Sequence, residues 1–165
     1  MYLITLAWQE NKEIRTRTIA QSDRTIQPHK IIIGRSEEEC DIVLKNSDPL
    51  IIRTVSKTHL EIFYDQEQNK FLAKNLTQNR QPPKKPNPLI IDGKKIIYDT
   101  PEIHKNTIIK LGKITMVVRN IELPDHRGEY IIKCSGPKKH TLTPEYEGLN
   151  CPYCGYVVFT GTTLK

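Results

Sequence analysis

Lys30-Ile31-Ile32-Ile33-Gly34-Arg35-Ser36 and Ser56-Lys57-Thr58-His59-Leu60-Glu61-Ile62-Phe63-Tyr64 are the stretches from which the fold of this 165-residue chain is read. Each joins a run of β-forming residues to a short polar motif: residues 30–33 lead into Gly34-Arg35-Ser36, and Ser56-Lys57-Thr58-His59 opens the run that ends at Tyr64. β-Branched and aromatic side chains suit a pleated, half-buried surface. An Arg at a strand end and a Ser in a nearby loop can converge on one dianionic group. The guanidinium supplies charge and a planar fork of donors, and the hydroxyl supplies one more hydrogen bond. Such a pair needs neither nucleophile nor base, so it points to recognition of a phosphate.

Working outward, short β-rich runs recur at 1–8, 13–20, 30–34, 41–45, 59–65, 70–75, 89–91, 95–98, 107–111 and 114–121. Turn formers separate them, among them Asp65-Gln66-Glu67-Gln68-Asn69, Asp92-Gly93 and Gly112-Lys113. Many short strands at this spacing predict a β-sandwich, with the last of these runs closing beside the first. No long stretch repeats apolar residues at i, i+3, i+4 and i+7, so helices should be scarce. Residues 79–88 hold Pro82, Pro83, Pro86 and Pro88, which bars a central strand and predicts a long loop. Residues 123–129 read as a linker, and no internal repeat is visible.

At the two opening motifs the chain resembles the forkhead-associated (FHA) family, over roughly residues 1–122. The pattern runs Gly-Arg, then Ser-x-x-His, then an Asn, then an Asn-Gly-like turn. Here it falls on Gly34-Arg35, Ser56-Lys57-Thr58-His59, Asn79-Arg80 and Asp92-Gly93, with Asp41-Ile42-Val43-Leu44 also in keeping. The resemblance implies a two-sheet sandwich whose loops at one end bind phosphothreonine peptides. It implies that Arg35 and Ser56 contact the phosphate, with help from Lys57. Asn79 would hold the peptide backbone, with Gln78 nearby, while Gly34 and His59 would be scaffold positions of the site. One departure stands out: the family has Gly after the binding Asn, and this chain has Arg80. Either the loop takes another shape, because a non-Gly residue is penalised at φ > 0, or Arg80 adds a cation beside Arg35, Arg53 and Lys57 that favours acidic or multiply phosphorylated ligands. Lys84 and Lys85 read as a solvated pair of loop charges.

Composition bounds the rest. Hydrophobic content of 37% and charged content of 27% suit a globular protein rather than a disordered one. No apolar stretch approaches the ~20 residues of a membrane helix. The opening Met1-Tyr2-Leu3-Ile4-Thr5-Leu6-Ala7-Trp8 has no basic leader and reads as a first strand. A cytoplasmic location without membrane attachment is the expectation. The net charge is +6, of which residues 1–122 carry +5 and residues 123–165 only +1.

Three of the four cysteines, Cys134, Cys151 and Cys154, lie in the last 32 residues, and Cys40 stands alone. Cys151-Pro152-Tyr153-Cys154-Gly155 has the form of a zinc knuckle: two thiolates three apart chelate one ion, and Gly155 tolerates the turn. Cys134 and His140 complete a Cys3His set from a second loop, with His126 as a competitor for the fourth place. Such a short segment cannot build much core, so one structural zinc ion would explain how it folds. Four protein ligands leave no open position for catalysis. Three thiolates and a divalent ion bring the tail to about neutral, which argues against a nucleic-acid interface.

The sequence thus predicts an all-β protein: an FHA-type β-sandwich over 1–122, a linker over 123–129, and a zinc-ribbon-like tail over 130–165. The expected function is that of a non-enzymatic adapter. It would bind a phosphothreonine-containing protein in a Ser/Thr-kinase pathway and use the zinc tail for protein contacts. The alternative is a nucleic-acid-associated regulator whose ribbon touches DNA or RNA while the sandwich joins proteins independently of phosphate.

Overall fold

In the computed structural model of the chain, residues 1–124, 132–142 and 144–158 are described. They belong to two compact units, Met1–Pro124 and Asp125–Lys165.

The first unit is built from eleven strands: some, such as the sixth, tenth and eleventh below, alternate buried and less buried residues at period two, others such as the third are short apolar runs, and residues that accept φ > 0 punctuate them. The strands are β1 (Leu3–Glu10), β2 (Glu13–Ala20), β3 (Lys30–Gly34), β4 (Ile42–Val43), β5 (Leu60–Asp65), β6 (Lys70–Asn75), β7 (Leu89–Ile91), β8 (Lys94–Ile96), β9 (Glu102–Ile103), β10 (Ile108–Leu111) and β11 (Ile114–Glu122). They form a six-stranded sheet, β2-β1-β11-β10-β7-β8, and a five-stranded sheet, β4-β3-β5-β6-β9. The closing strand β11 pairs antiparallel with β1, as expected from the sequence. At the hairpin between β7 and β8, Asp92 and Gly93 both take positive φ, 49° and 82°, which matches the primed turn that suits the strand twist.

The inward faces of both sheets supply one apolar core. Ile4 and Leu6 of β1, Ile33 of β3, Leu60 and Ile62 of β5, Phe71 of β6, and Met116 and Val118 of β11 are among its buried members. Burial of a side chain of this size contributes about 1.5–3 kcal/mol, so the sandwich is held chiefly by apolar contact. The strand boundaries depart from the sequence reading by a residue or two. The two-residue β9 was missed because so short a run carries no periodicity. So was the single helical turn α1 (Pro49–Ile52), although Asp48 caps it by accepting from the Leu50 amide at 2.9 Å and Pro49 opens it. No helix among the described residues is long and apolar enough to cross a membrane.

In the second unit, β12 (Ile132–Lys133) pairs with β13 (Thr141–Leu142), and a 3-10 turn spans Pro144–Tyr146. Ile132, Cys134, Leu142, Cys151 and Val158 form its small buried cluster. After the knuckle, Val157 makes a single antiparallel bridge with Asn150. The competing ligand His126 and residues 125–129 of the expected linker lie outside the described residues.

Candidate functional site

Two backbone hydrogen bonds bring the opening motifs together. The Arg35 amide donates to the Ser56 carbonyl at 3.1 Å, and the Ser36 amide donates to the Lys57 carbonyl at 3.1 Å. Gly34 is demanded by this approach, because a Cβ there would overlap the Lys57 carbonyl. The Nε of Arg35 donates to the Val55 carbonyl at 2.8 Å, which fixes the plane of the guanidinium. Among the described residues, its two terminal nitrogens have no protein acceptor.

Ser56 is buried, and its Oγ accepts two hydrogen bonds. One comes from the Arg80 guanidinium at 2.9 Å and the other from the Asn87 carboxamide at 2.9 Å. A hydroxyl has two acceptor positions and one proton. Both acceptor positions are filled, so the Ser56 proton must point elsewhere as a donor. The exposed side chain of Lys57 adds an ammonium next to it in the chain.

Asn87 is the node of the cluster. Its carboxamide nitrogen spends one proton on Ser56 Oγ and the other on the Thr54 carbonyl at 3.0 Å. Its carbonyl accepts from His59 Nε2 at 3.0 Å and from the Asn75 carboxamide at 2.7 Å. Those donors fill the carbonyl's two lone pairs, so the Thr77 hydroxyl serves Asn75 Oδ1 at 2.7 Å. Thr77 Oγ1 in turn accepts the Asn87 amide at 2.8 Å. His59 is fully buried, and its Nδ1 faces the Ser56 amide at 3.4 Å as an acceptor. The ring is therefore the neutral Nε2–H tautomer. Burial lowers its pKa below the ordinary value, outweighing the hydrogen bonds to the Asn87 and Pro88 carbonyls.

The structure brings Arg35, Ser56, Lys57 and Arg80 into one cluster, supported by Gly34 and His59. It does not bring Gln78 or Asn79 into it: Gln78 is half-buried, Asn79 is exposed, and neither side chain joins these hydrogen bonds. Asn87, which the sequence reading did not name as a site residue, is the asparagine that meets Ser56. The reason is the loop: it leaves β6, reaches Ser56 first through the Arg80 side chain and again at Asn87, and leaves Asn79 exposed between them and β6. A signal was present, since Asn87 is clamped between Pro86 and Pro88, which restrict its backbone to extended conformations. Arg80 does not take a positive φ, so its presence is accommodated without strain.

The second candidate site lies in the tail. The ligand atoms of Cys134, His140, Cys151 and Cys154 all lie within 4.8 Å of one another. Cys134 Sγ is 3.6 Å from Cys154 Sγ and 3.7 Å from His140 Nδ1, and Cys151 Sγ is 3.6 Å from the same Nδ1. A tetrahedron with Zn–S of about 2.3 Å and Zn–N of about 2.0–2.1 Å has edges of roughly 3.5–3.8 Å. These three distances fit such edges, and all the cysteines are free thiols.

Local chemistry favours thiolate at Cys134, while at Cys154 the Tyr156 amide, which lowers the pKa, is outweighed by burial and the neighbouring Cys151 and Cys134, which push the thiol up. Burial pushes the Cys134 thiol up, but the Gly136 amide and hydrogen bonds from His140 and Cys154 outweigh it and bring the pKa to about 6. The His140 amide also donates to Cys134 Sγ at 3.2 Å. Gly155 takes φ of 75° and closes the knuckle by donating to the Cys151 carbonyl at 2.8 Å. Gly136 passes so close to Cys154 Sγ and the Tyr156 ring that a Cβ would crowd both. Cys40 belongs to neither site. It is buried in the sandwich and donates to the Lys57 carbonyl at 3.1 Å, and burial raises its pKa, as do the neighbouring carboxylates of Glu39 and Asp41.

Residues 31–112 match the family model of the FHA domain. Among solved structures, the chain is similar to the FHA domain of a Chlamydia trachomatis protein, with a TM-score of 0.52 and 19% identity over 72% of this chain and 97% of that one. It is similar to the kinase-interacting FHA domain of a kinase-associated protein phosphatase of Arabidopsis, with a TM-score of 0.53 and 16% identity over 75% of this chain and 97% of that one. A third likeness is to the FHA domain of an Arabidopsis thaliana hypothetical protein, with a TM-score of 0.51 and 16% identity over 74% and 89%. No curated protein matches the sequence. At these identities the likeness is one of fold, and it agrees with the family match: the β-sandwich of this chain belongs to the forkhead-associated family.

Proposed function

We propose that this protein is a non-enzymatic adapter that binds a phosphothreonine-containing partner through the Arg35–Ser56 end of its sandwich. FHA domains bind phosphothreonine peptides. The observation that carries the reading for this chain is the state of Ser56. Arg80 and Asn87 fill both its acceptor positions, leaving its proton to donate, beside two unengaged nitrogens of Arg35. A phosphate oxygen is the natural acceptor of all three. The Lys57 and Arg80 cations add charge stabilisation, and Asn87 Oδ1, which has no donor of its own, is placed to accept a peptide N–H. Gln78 and Asn79 belong to the same loop but stand outside this cluster.

A Ser/Thr kinase makes the ligand, and the protein works in the cytoplasm, where thiols stay reduced. The tail, joined through a linker over 123–129, holds one zinc ion on Cys134, His140, Cys151 and Cys154. With four protein ligands the ion supplies folding free energy rather than a reactive position, and the tail serves protein contacts.

The test is titration of phosphothreonine, phosphoserine and unphosphorylated peptide libraries against the full zinc-loaded chain. A hydrogen bond to a charged group contributes about 1.5–3 kcal/mol. Arg35→Ala should therefore weaken phosphothreonine binding roughly tenfold to a hundredfold. A library with no phosphate-dependent binding, or an Arg35→Ala variant with unchanged affinity, would sink the reading.

A further inference from the structure

The end of the sandwich that carries Ser56 holds more positive charge than one phosphate can neutralise. Arg35, Arg53, Lys57, Arg80, Lys84 and Lys85 have no carboxylate within ion-pair distance among the described residues. Elsewhere on the sandwich Arg15, Lys30, Lys45 and Lys70 are each paired with a Glu at 2.8–3.8 Å, whereas others such as Lys12, Arg24, Lys94 and Lys113 are not, so it is the grouping around one hydroxyl that marks these six. The loop that delivers Arg80 contributes half of that surplus, and no acidic residue occurs between Asn75 and Asp92.

The loop is also tied to the phosphate-binding hydroxyl rather than being an unrelated solvated segment. Arg80 and Asn87, from its two ends, donate to the same Ser56 Oγ. The Arg80 guanidinium also reaches the Lys85 carbonyl at 3.3 Å, and the Lys84 amide closes a turn on the Gln81 carbonyl at 3.0 Å. Lys84 and Lys85 are therefore exposed on a braced loop within one guanidinium's reach of Ser56.

A phosphate group carries about −1.5 to −2 charges at neutral pH, less than half of what these six cations offer. Resting on the phosphothreonine reading above, we infer that the preferred ligand carries a second anionic group close to the phosphothreonine. The loop over 80–88, through Lys84 and Lys85, reads that group, while Arg80 serves the phosphothreonine itself. The second group is a phosphate or a carboxylate, and the chemistry of the loop accepts either.

The experiment compares three peptides of one sequence by fluorescence anisotropy with the full zinc-loaded chain. The first is phosphothreonine with neutral flanks, the second adds a phosphoserine within four residues, and the third places glutamates there. An unphosphorylated version of the glutamate peptide is the control. The second anion should tighten binding about three- to tenfold, as a few exposed ion pairs do, and the gain should shrink at about 0.5 M salt. Lys84→Gln/Lys85→Gln should abolish the gain while leaving the neutral-flank peptide within about twofold. Arg80→Gln should weaken all three phosphopeptides. A gain from phosphoserine but not from glutamate assigns the second group to phosphate, and the reverse assigns it to carboxylate. Equal affinity for neutral and acidic phosphopeptides would overturn this inference and leave the proposed function standing, as would a gain that survives the double Lys variant. If no phosphopeptide binds, or the unphosphorylated acidic peptide binds as tightly, the proposed function falls and this inference with it.

Discussion

His59 shows how one buried ring couples the site to the solvent. It accepts at Nδ1 and donates at Nε2 to the Asn87 carbonyl, so the fold is built around its neutral form. Burial holds its pKa below the ordinary 6.5. As pH falls through about 6.5 the unfolded chain takes up a proton at His59 and the folded chain does not. The unfolded state then binds more protons, and stability declines. His59 should therefore contribute its full stabilisation above pH 6.5 and lose it progressively toward the folded pKa. Denaturant midpoints of the sandwich should drop between pH 7 and pH 5. A His59→Asn variant, less stable at pH 7, should show a shallower dependence over that range. An unchanged slope in the variant would assign the effect to carboxylates. That His59 is structural was legible from its place at the head of an alternating strand. The identity of its partner was not, because Asn87 lies 28 residues away in sequence.

Among the elements, the loop between β6 and β7 decides what the site can bind. Its length and prolines marked it as irregular, but periodicity says nothing of where an irregular segment returns. The sequence carries two asparagines, Asn79 and Asn87, either of which could serve Ser56. The fold chooses the second. Asn87→Ala removes the donors to Ser56 Oγ and the Thr54 carbonyl while keeping the backbone carbonyl that holds His59 and Asn75. It should reduce phosphopeptide affinity about tenfold and cost about 1–3 kcal/mol of stability, the range for leaving buried polar partners unpaired. Asn79→Ala should change both little. Isothermal titration and urea denaturation of the two variants check this, and the reverse ranking would return the role to Asn79. Regular elements were more readable: β1, β2, β3, β5, β6, β7, β10 and β11 lie within a residue or two of the runs read from the sequence. A two-residue strand such as β9 has no pattern of its own and exists only because β6 offers it a partner.

Across the whole molecule, the two units rest on different sources of stability. The sandwich buries an extended apolar core, whereas among its described residues the tail buries a cluster of five, two of them candidate metal-ligand cysteines. Chelation of metal from the full chain should unfold the tail and leave the sandwich signal intact. Readouts are loss of amide protection over 132–158, release of one zinc per chain, and an unchanged thermal transition for the sandwich. Protein purified without chelator and free of zinc would defeat the zinc assignment. His140→Ala with undiminished zinc affinity would move the fourth ligand elsewhere. What the sequence determined by itself was local and chemical: strand periodicity, the Gly34-Arg35 and Ser56–His59 motifs, and the Cys and His residues whose types suit a metal. Each of these is set by nearest neighbours along the chain or by the chemistry of a single side chain. Tertiary structure alone decided that Asn87 rather than Asn79 meets Ser56 and that Arg80 turns inward to the same hydroxyl. It also decided that the four candidate tail ligands gather within 4.8 Å of one another. Those outcomes depend on how loops close across a packed core, and closure is governed by distant partners that no window of sequence contains.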